Sequence, residues 1–479
     1  MFLFTHLSKD RLIYVCLTLV LKADFLERNP ISCKELHSKR KVIMKITTYA
    51  LSSRCITLNL LLNSMFALML LFSVKLWADG ISLNDAEQVA IQSDPAQTIY
   101  QAQQASLIAQ GIAGSTLDDP MIKLGVANLP TDSFQLNQEA MTQVAVGLSQ
   151  QFNRGSTLEL TQKNFNQRSD IAEYQGLDRQ LMVKKTVREL WFNILFMDKS
   201  LQIIKENKKL FLGFYQDLKT SYSLGLAENE DLIAAEIEIN KFDEKTAALT
   251  QQSLNYRSLL HEYIGQYAYQ ALPTDMPKWP ETLSYINSVK VKNNQHYDLL
   301  SQHPKVKMFV MNIEVADNGI ALAEQDYKPS YKVEVGYGLR LSETDMGQPR
   351  PDLLSAFVSM DIPLFTDKRQ DQKLISAQYN KGQKQAEHRL ILRQLNALLT
   401  AEISNYQQLK ARQTRYQETL LVQAKQHSKL LEQSYQSNTR PFKEVIEAYI
   451  HEQNLALEYQ QLYFDSLKSL AEIRYFQAL

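Results

Sequence analysis

The sequence predicts a mainly α-helical protein that also contributes four strands to a membrane β-barrel. Three observations lead to this fold class. One unit of helices and strands occurs twice along the chain, its strand segments alternate apolar with polar residues, and its long helices carry an apolar repeat of seven residues. Such a heptad repeat is typical of helices packed side by side, and strict alternation is typical of a strand that separates an apolar from a polar medium.

The segment up to Ala78 differs in composition from the rest of the chain. An almost purely apolar run, Leu58–Val74, follows basic residues and ends shortly before the small residue Ala78. A basic flank, an apolar centre and a small final residue predict an N-terminal extension with a secretory signal peptide in residues 1–78, and a transmembrane anchor is the alternative. Met1 and Met44 are both candidate start sites.

All three cysteines, Cys16, Cys33 and Cys55, precede the predicted cleavage site. The exported protein is therefore expected to contain no disulfide, no thiolate metal site and no acceptor cysteine for a lipid. No apolar run after Ala78 reaches the length of a membrane-spanning helix, so any membrane crossing is expected to use strands.

Internal repetition organises the rest of the chain. DDPMIKLGVANLP, which contains Pro120, resembles YKPSYKVEVGYGL, which contains Pro329. Tyr222 and Tyr435 occupy equivalent places in a second pair of similar segments, at nearly the same offset along the chain. The sequence therefore predicts a first repeat at residues 79–270, a proline-containing connector at 271–302 and a second repeat at 303–479.

Each repeat predicts the same order of elements: helix, strand, strand, long helix, break, long helix. Ser82 followed by Asp85 has the spacing of a capping box and starts the first helix. Pro95 and Pro304 are separated by the same offset as Pro120 and Pro329. Both suit the first turn of the next helix, because proline lacks the N–H that a first turn leaves unpaired.

The strand segments alternate in polarity. In Tyr331–Leu341, apolar side chains occupy every second position, with charged residues or glycine between them, and Met121–Leu129, Val144–Leu148 and Ala356–Leu364 behave similarly. A soluble hairpin with one face on a core is the alternative, but four such strands with no element left to cover them favour a membrane barrel. The charged residues of the polar faces are candidates for lining a pore, or are merely solvated: Lys123, Lys332, Glu334 and Arg340.

The long helix of each repeat carries an apolar stripe. In the first repeat its members are Val183, Val187, Leu190, Ile194, Met197, Leu201, Ile204, Phe211, Tyr215, Leu218 and Tyr222. A looser version in the second repeat comprises Leu392, Leu395, Leu399, Ile403, Tyr406, Leu409, Tyr416 and Leu420. The first helix spans roughly 100 Å at 1.5 Å per residue, which is too long for one globular core and predicts a coiled-coil bundle or tube.

A matched break follows each long helix. Gly225 lies just past the first helix and precedes AENED, where acidic residues favour the start of a new helix. Asn438 stands at the same offset in the second repeat, and asparagine is the next most tolerant residue of the left-handed conformation. Pro441 is expected to begin the return helix. Two helical hairpins of equal height therefore present their tips at a common end.

The sequence contains no pattern typical of an enzyme or of a nucleic-acid-binding protein. Neither a GxSxG nucleophile turn nor a GxxxxGK[ST] phosphate loop occurs, and the formal net charge is zero. Six histidines follow Ala78, and none has metal-ligand spacing to another histidine. The prediction is a protein without catalytic residues, resident metal or cofactor.

The sequence resembles the outer membrane efflux proteins of the TolC type, from Ile81 to Leu479. The resemblance rests on the tandem repeat, on LNDAEQVAIQSDP and DDPMIKLGVANLP, and on the two tip segments YSLGLAENEDLIAAE and YQSNTRPFKEVIEAY. The DDPMIKLGVANLP form is more similar to the heavy-metal-resistance branch than to the drug branch.

The resemblance implies a homotrimer in the bacterial outer membrane that extends into the periplasm. Each subunit would give four strands to one twelve-stranded barrel, and the helices would continue the barrel as a periplasmic tunnel. The tips would bind a periplasmic adaptor attached to an inner-membrane pump, expected to be of the RND type. The residues that match the adaptor-contacting positions are Leu224, Gly225, Leu226, Asp231 and Leu232 in the first repeat, and Asn438, Pro441, Glu444 and Val445 in the second. The second tip departs from the pattern, because SNT replaces LGL.

The predicted function is thus a passive exit duct of a tripartite efflux system that exports heavy-metal cations. A duct for organic drugs or for type I protein secretion is the alternative within transport. A periplasmic coiled-coil scaffold without transport is the alternative of another class.

Overall fold

The computed structural model describes residues 80–289, 295–437 and 439–479. The predicted signal peptide, the candidate start sites, tip residue Asn438 and residues 290–294 of the connector lie outside the described residues.

The elements follow the order predicted for the two repeats. The first repeat comprises α1 (Leu83–Ser93), α2 (Pro95–Gly114), β1 (Met121–Ala127), β2 (Gln143–Phe152), α3 (Thr157–Ser223) and α4 (Asn229–Ile264). A 3₁₀ turn (Gly265–Tyr269) ends the first repeat, and the connector contains α5 (Pro280–Ser288) and α6 (Tyr297–Leu300). The second repeat comprises α7 (Pro304–Gln325), β3 (Tyr331–Leu339), β4 (Leu353–Met360), α8 (Gln370–Arg415), a π-helical turn (Tyr416–Leu420), α9 (Leu421–Gln436) and α10 (Phe442–Phe476). Among the described residues, no helix has a stretch long and apolar enough to cross a membrane.

The predicted helix starts are confirmed. The Ser82 hydroxyl caps α1 by accepting a hydrogen bond from the Asp85 N–H at 3.2 Å. Pro95 and Pro304 are first residues of α2 and α7, and the residues before them cap both helices. Asp94 accepts from the Ala96 N–H at 3.1 Å, whereas Nδ1 of His303, the equivalent residue of the second repeat, accepts from the Lys305 N–H at 3.2 Å. Both repeats therefore have a side-chain cap at this position, but the accepting group differs.

The four strands form one antiparallel sheet in the order β1-β2-β3-β4. Each repeat supplies a hairpin, and the β2–β3 pairing, with Val146 opposite Tyr337, joins the two hairpins. The sheet is shorter than predicted at three ends. β1 ends at Ala127 and not at Leu129, because Asn128 adopts a left-handed φ of 55° that a strand does not allow. β3 ends at Leu339, because the Arg340 N–H donates to the Asp352 carboxylate at 3.0 Å instead of to a strand. β4 ends at Met360, before Pro363, which has no N–H to pair.

The heptad stripe of α3 forms the helical core. Val183, Val187, Ile194 and Ile204 are each at most 1% exposed, which confirms the predicted packing face. The 67 residues of α3 extend about 100 Å. The prediction was wrong for the last member of the stripe, Tyr222, which is 46% exposed because α3 ends one residue later.

The π-helical turn explains why the apolar stripe of the second repeat is loose. Leu395, Leu399, Ile403 and Leu409 are buried in α8 as predicted. A π turn is wider than an α turn and shifts the phase of the residues that follow it. The predicted stripe members Tyr416 and Leu420 lie within that turn, which buries no side chain fully.

A buried ion pair ties the middle of the helical layer together. The Arg188 guanidinium on α3 donates to both carboxylate oxygens of Glu87 on α1, at 2.7 and 2.8 Å, and the two side chains are only 3% and 7% exposed. The guanidinium carbons of Arg188 and of Arg474 on α10 lie 5.3 and 5.1 Å from the Trp279 ring centroid. The cluster joins both repeats to the connector.

We predict that Arg188→Ala lowers the free energy of unfolding by about 3–5 kcal/mol, because it leaves the Glu87 carboxylate buried without a partner. Denaturation of the purified protein measures the change. The matched control is Lys241→Ala, which breaks the exposed pair with Glu238 and should change stability little. Equal changes in the two variants would contradict the assignment.

Candidate functional site

One face of the sheet is apolar except for Gln150, and no other described element covers it. The register places alternate residues of all four strands on this face, with Leu124 beside Val146 and Val146 beside Tyr337. The exposed fractions of the large apolar side chains on this face range from 38% at Val333 to 79% at Leu124. The apolar face comprises Ile122, Leu124, Val126, Val144, Val146, Leu148, Phe152, Tyr331, Val333, Val335, Tyr337, Leu339, Leu354, Ala356, Val358 and Met360. A contiguous apolar surface of this extent indicates an interaction with a partner or a membrane.

The opposite face contains every charged residue of the four described strands. Lys123, Lys332 and Glu334 lie on it, among Gly125, Gly147, Gly336 and Gly338. Lys123 Nζ lies 2.5 Å from Glu334 Oε2, and Lys332 Nζ lies 3.5 Å from the same oxygen. The structure therefore brings three of the four predicted polar-face residues into one cluster.

Arg340, the fourth of these residues, lies one position past β3. Its guanidinium donates to the Pro351 carbonyl at 2.7 Å and to the Ala140 carbonyl at 3.3 Å. These bonds tie the β3–β4 loop to the β1–β2 loop at the rim of the sheet. The role observed for the Arg340 side chain is thus loop fixation.

The sheet and the helical layer both end in open edges. Within the described residues, β1 pairs only with β2, and β4 pairs only with β3. In one row of the helical layer α2 packs on α3, α3 on α7, and α7 on α8, so that α2 and α8 are the outer helices of this row. Exposed apolar side chains mark both outer helices, with Ile99, Ile108 and Ile112 on α2 and Tyr379, Leu390 and Leu398 on α8.

At the first tip, α3 ends just before Gly225, as the sequence predicted. Gly225 has φ of 73°. Its N–H donates to the Tyr222 carbonyl at 2.9 Å, and the Leu226 N–H donates to the Ser221 carbonyl at 2.9 Å. These two bonds form a Schellman motif, in which the residue just past the helix end is left-handed.

The second tip repeats this closure at the equivalent place in the second repeat. The Thr439 N–H donates to the Ser434 carbonyl at 2.9 Å, the counterpart of the Leu226–Ser221 bond. The return helices also start at equivalent positions, since α4 begins at Asn229 and α10 at Phe442, the same offset that separates Leu226 from Thr439. Pro441 caps α10 with extended backbone, so the prediction that it begins the helix was wrong by one residue.

The predicted tip residues differ in accessibility. Leu224 and Leu226 are 68% and 78% exposed. Asp231 is partly buried, and this burial, together with the nearby carboxylates of Glu230 and Glu228, raises its pKa above the ordinary value.

Three other predicted residues are less available to a partner. The Leu232 side chain packs partly buried against the apolar cluster below the tips. Glu444 pairs with Arg440 at 3.3 Å. Val445 is only 1% exposed, because this position of α10 faces the interior of the hairpin, so its side chain cannot form the predicted adaptor contact.

An aromatic cluster joins the two hairpins just below the tips. The Phe214 ring on α3 lies 6.2 Å from the Phe442 ring and 5.2 Å from the Tyr449 ring, both on α10. Phe211 lies 4.9 Å from Phe242 on α4. Sequence analysis identified Phe211 as a stripe residue but missed the cluster, although the seven-residue spacing of Phe442 and Tyr449 is a signal for it.

Other polar clusters have structural roles. His303 Nε2 lies 3.0 Å from the Tyr475 carbonyl, and His296 Nδ1 lies 2.7 Å from the Tyr285 hydroxyl. A groove of about 300 Å³ is lined by carboxylates that include Glu189, whose pKa is raised by burial and by the neighbouring Glu472. Within the described part of the chain, no group of three or more histidine, cysteine, aspartate or glutamate residues is arranged to hold a metal ion.

Comparison with solved structures identifies the fold. No protein-family model matches the chain, and no curated protein matches it by sequence. A structure of CusC, described in terms of transmembrane channel formation, superposes with a TM-score of 0.67 over 83% of this chain and 92% of CusC at 14% identity. The outer membrane protein VceC of Vibrio cholerae gives 0.66 over 82% and 96% at 14% identity. The Campylobacter jejuni CmeC outer membrane channel gives 0.66 over 83% and 85% at 13% identity.

These likenesses confirm the predicted fold class. The chain has the architecture of the outer membrane channel proteins, with long paired helices and a four-stranded antiparallel sheet. At identities of 13–14%, these likenesses establish the fold alone.

We predict opposite effects of one substitution at two glycines. Gly225→Ala should lower the free energy of unfolding by about 1–2 kcal/mol, because alanine is strained at positive φ. Gly213→Ala should raise it by about 0.5–1 kcal/mol, because Gly213 lies inside α3. Apart from the adjoining residues and the backbone of the same helix, no atom lies within 4 Å of a Cβ built at either position, so packing does not obscure the comparison. Thermal denaturation measures both, and shifts of the same sign would contradict the left-handed closure.

Proposed function

We propose that this protein is the outer membrane channel of a tripartite efflux system and acts as a passive exit duct. The observation that carries the proposal is the division of the sheet into an uncharged, exposed apolar face and a face that holds all the strand charges. A sheet with these two faces is suited to separate lipid from a water-filled lumen. The fold of outer membrane channels supports the same assignment.

The open edges support assembly into a ring of identical subunits. Lipid offers no hydrogen bonds, so the free edges of β1 and β4 must be paired if the sheet lies in a membrane. Pairing β1 of one copy with β4 of the next satisfies both edges and generates a closed ring. The family resemblance implies three copies, which give twelve strands around one lumen. The exposed apolar residues of α2 and α8 would then meet in the tunnel wall.

The tips are proposed to bind a periplasmic adaptor that connects the duct to an inner-membrane pump of the RND type. Leu224 and Leu226 project as exposed leucines from a closed turn, and exposed apolar side chains on a rigid support suit a protein interface. The matching positions of the second tip are Ser437 and Thr439. The first tip is therefore the stronger binding element, with Gly225, Asp231 and Leu232 beside the leucines, and Asn438, Pro441 and Glu444 supplement it from the second.

Heavy-metal cations are the proposed cargo, because the segment DDPMIKLGVANLP resembles the heavy-metal-resistance branch of the TolC-type proteins more than the drug branch. Organic drugs and type I secreted proteins are the other cargoes that this fold suits. A periplasmic scaffold without transport accounts less well for the protein, because it leaves the apolar face of the sheet in water.

We predict that the protein fractionates with the outer membrane as a heat-modifiable trimer and conducts ions in planar bilayers, because three sheets together enclose a lumen. Cell fractionation, electrophoresis with and without heating, and conductance recording measure these properties. A monomeric protein that stays dissolved without detergent and conducts no current would exclude the duct.

Replacing both exposed leucines, Leu224→Asp with Leu226→Asp, should weaken adaptor binding by about tenfold or more and abolish export, while the trimers persist in the outer membrane. Adaptor pull-down and a cargo-resistance assay measure the two effects.

The matched control is Ser437→Asp with Thr439→Asp, the positions equivalent to Leu224 and Leu226, which adds the same two charges and should have a much smaller effect because it removes no exposed leucine. Normal export in the leucine variant, with trimers present, would reject the docking role of the first tip.

A further inference from the structure

The charged residues of the sheet lie close together, at one height along the strands. Within the four described strands, the charged residues are Lys123, Lys332 and Glu334, and all three lie on the glycine-rich face. Both ammonium groups approach the same carboxylate oxygen of Glu334, at 2.5 and 3.5 Å. One carboxylate cannot neutralise two ammonium groups, so each subunit keeps one net positive charge at this level.

Gly147 allows this cluster to form. Lys123 on β1 and Glu334 on β3 are separated by β2, and Gly147 stands directly opposite Lys123 on one side and Gly336 on the other. The Lys123 side chain crosses β2 over these glycines. A Cβ at Gly147 would have 3.5 Å to its nearest neighbour, the Val335 carbonyl oxygen. A longer side chain there would enter the space between the ammonium and the carboxylate.

The cluster covers the strand beneath it. Ser149 stands opposite Glu334 on the same face and is only 2% exposed, and its hydroxyl has no hydrogen-bond partner. The charged side chains therefore lie flat over β2 in a defined arrangement. Each is nevertheless partly exposed, at 48% for Lys123, 29% for Lys332 and 28% for Glu334, so the charges face solvent.

No other charge on the described strands offsets the excess. Past the strand ends, Arg340 and Asp352 at one rim carry formal charges that cancel, and Arg154 and Asp361 form an ion pair at the other. Asp118 and Asp119 precede β1 and lie outside the strands. The remaining residues of the polar face within the strands are uncharged.

We infer that the Lys123–Glu334–Lys332 cluster determines the charge selectivity of the barrel lumen and favours anions over cations at this level. The inference rests on the proposed function, because it requires several copies around one lumen. Three copies place three net positive charges in one ring, and low-dielectric walls focus the field of such a ring on passing ions. Anionic and neutral species meet no electrostatic barrier there, whereas a free cation is repelled.

The test is the reversal potential of single channels in planar bilayers under a potassium chloride gradient. Four variants change the ring in steps. Per subunit, Glu334→Gln raises the net charge to +2, Lys332→Gln lowers it to 0, and Lys332→Glu lowers it to −1. The exchange Lys123→Glu with Glu334→Lys keeps it at +1 and serves as the matched control.

The ratio of chloride to potassium permeability should fall in the order Glu334→Gln, wild type, Lys332→Gln, Lys332→Glu, by roughly twofold or more per step. The exchanged pair should behave like the wild type. Heat stability of the trimer is measured in parallel, so that a variant that fails to assemble is recognised. The comparison then rests on the isosteric variant Glu334→Gln and on Lys332→Gln, which only removes a charge.

Two failures are distinguishable. Conducting channels with the same reversal potential in every variant would overturn this inference and leave the duct intact. A wild-type protein that conducts no current would overturn the duct and the inference with it.

Discussion

The structure depends on one constraint: the backbone hydrogen bonds and the apolar face of a four-stranded sheet must both find partners. The strands alternate so strictly that a shift in register by one residue would move Lys123, Lys332 and Glu334 to the apolar face. The register of strand pairing is therefore fixed by the need to keep the charged side chains on the side that faces water. Within the described residues, nothing pairs the two free edges or covers the apolar face. The long helices, the repeat and the matched tips are consistent with a subunit that becomes complete only beside its copies.

The repeat preserves positions rather than chemistry. Asp94 and His303 cap equivalent helices, one through a carboxylate and the other through an imidazole nitrogen. The two tips close with the same backbone bond, although leucine stands in one and threonine in the other. Helix geometry is therefore duplicated, while surface chemistry is free to diverge. The π-helical turn at Tyr416–Leu420 is a further divergence, because α3 has no counterpart to it. The matched tip heights persist in spite of it.

Local periodicity made most of the fold predictable. The order of elements, the buried stripe of α3 and the glycine closure follow from alternation in the strands, the heptad repeat in the helix and a single residue at the break. What was missed depends on residues far apart in sequence. Glu87 and Arg188 are 101 residues apart and have no shared pattern. The Lys123–Glu334 pair requires the β2–β3 pairing, which alternation alone does not specify. Val445 was assigned by position in a motif, which gives the height along a helix but not the face that is buried.

The charges along the chain bear on what a passive duct can and cannot do. Carboxylates crowd the start of α4, where Asp231 lies beside Glu228 and Glu230, whereas the sheet carries the net positive cluster. In an assembled tunnel, the acidic end would raise the local concentration of cations, and the basic ring would shorten their stay at the sheet. Fixed charges cannot give net direction to transport, because they act equally on ions moving either way. In the proposed system, direction would come from the pump, and a metal cation would cross the ring most readily when accompanied by anions that cancel its charge.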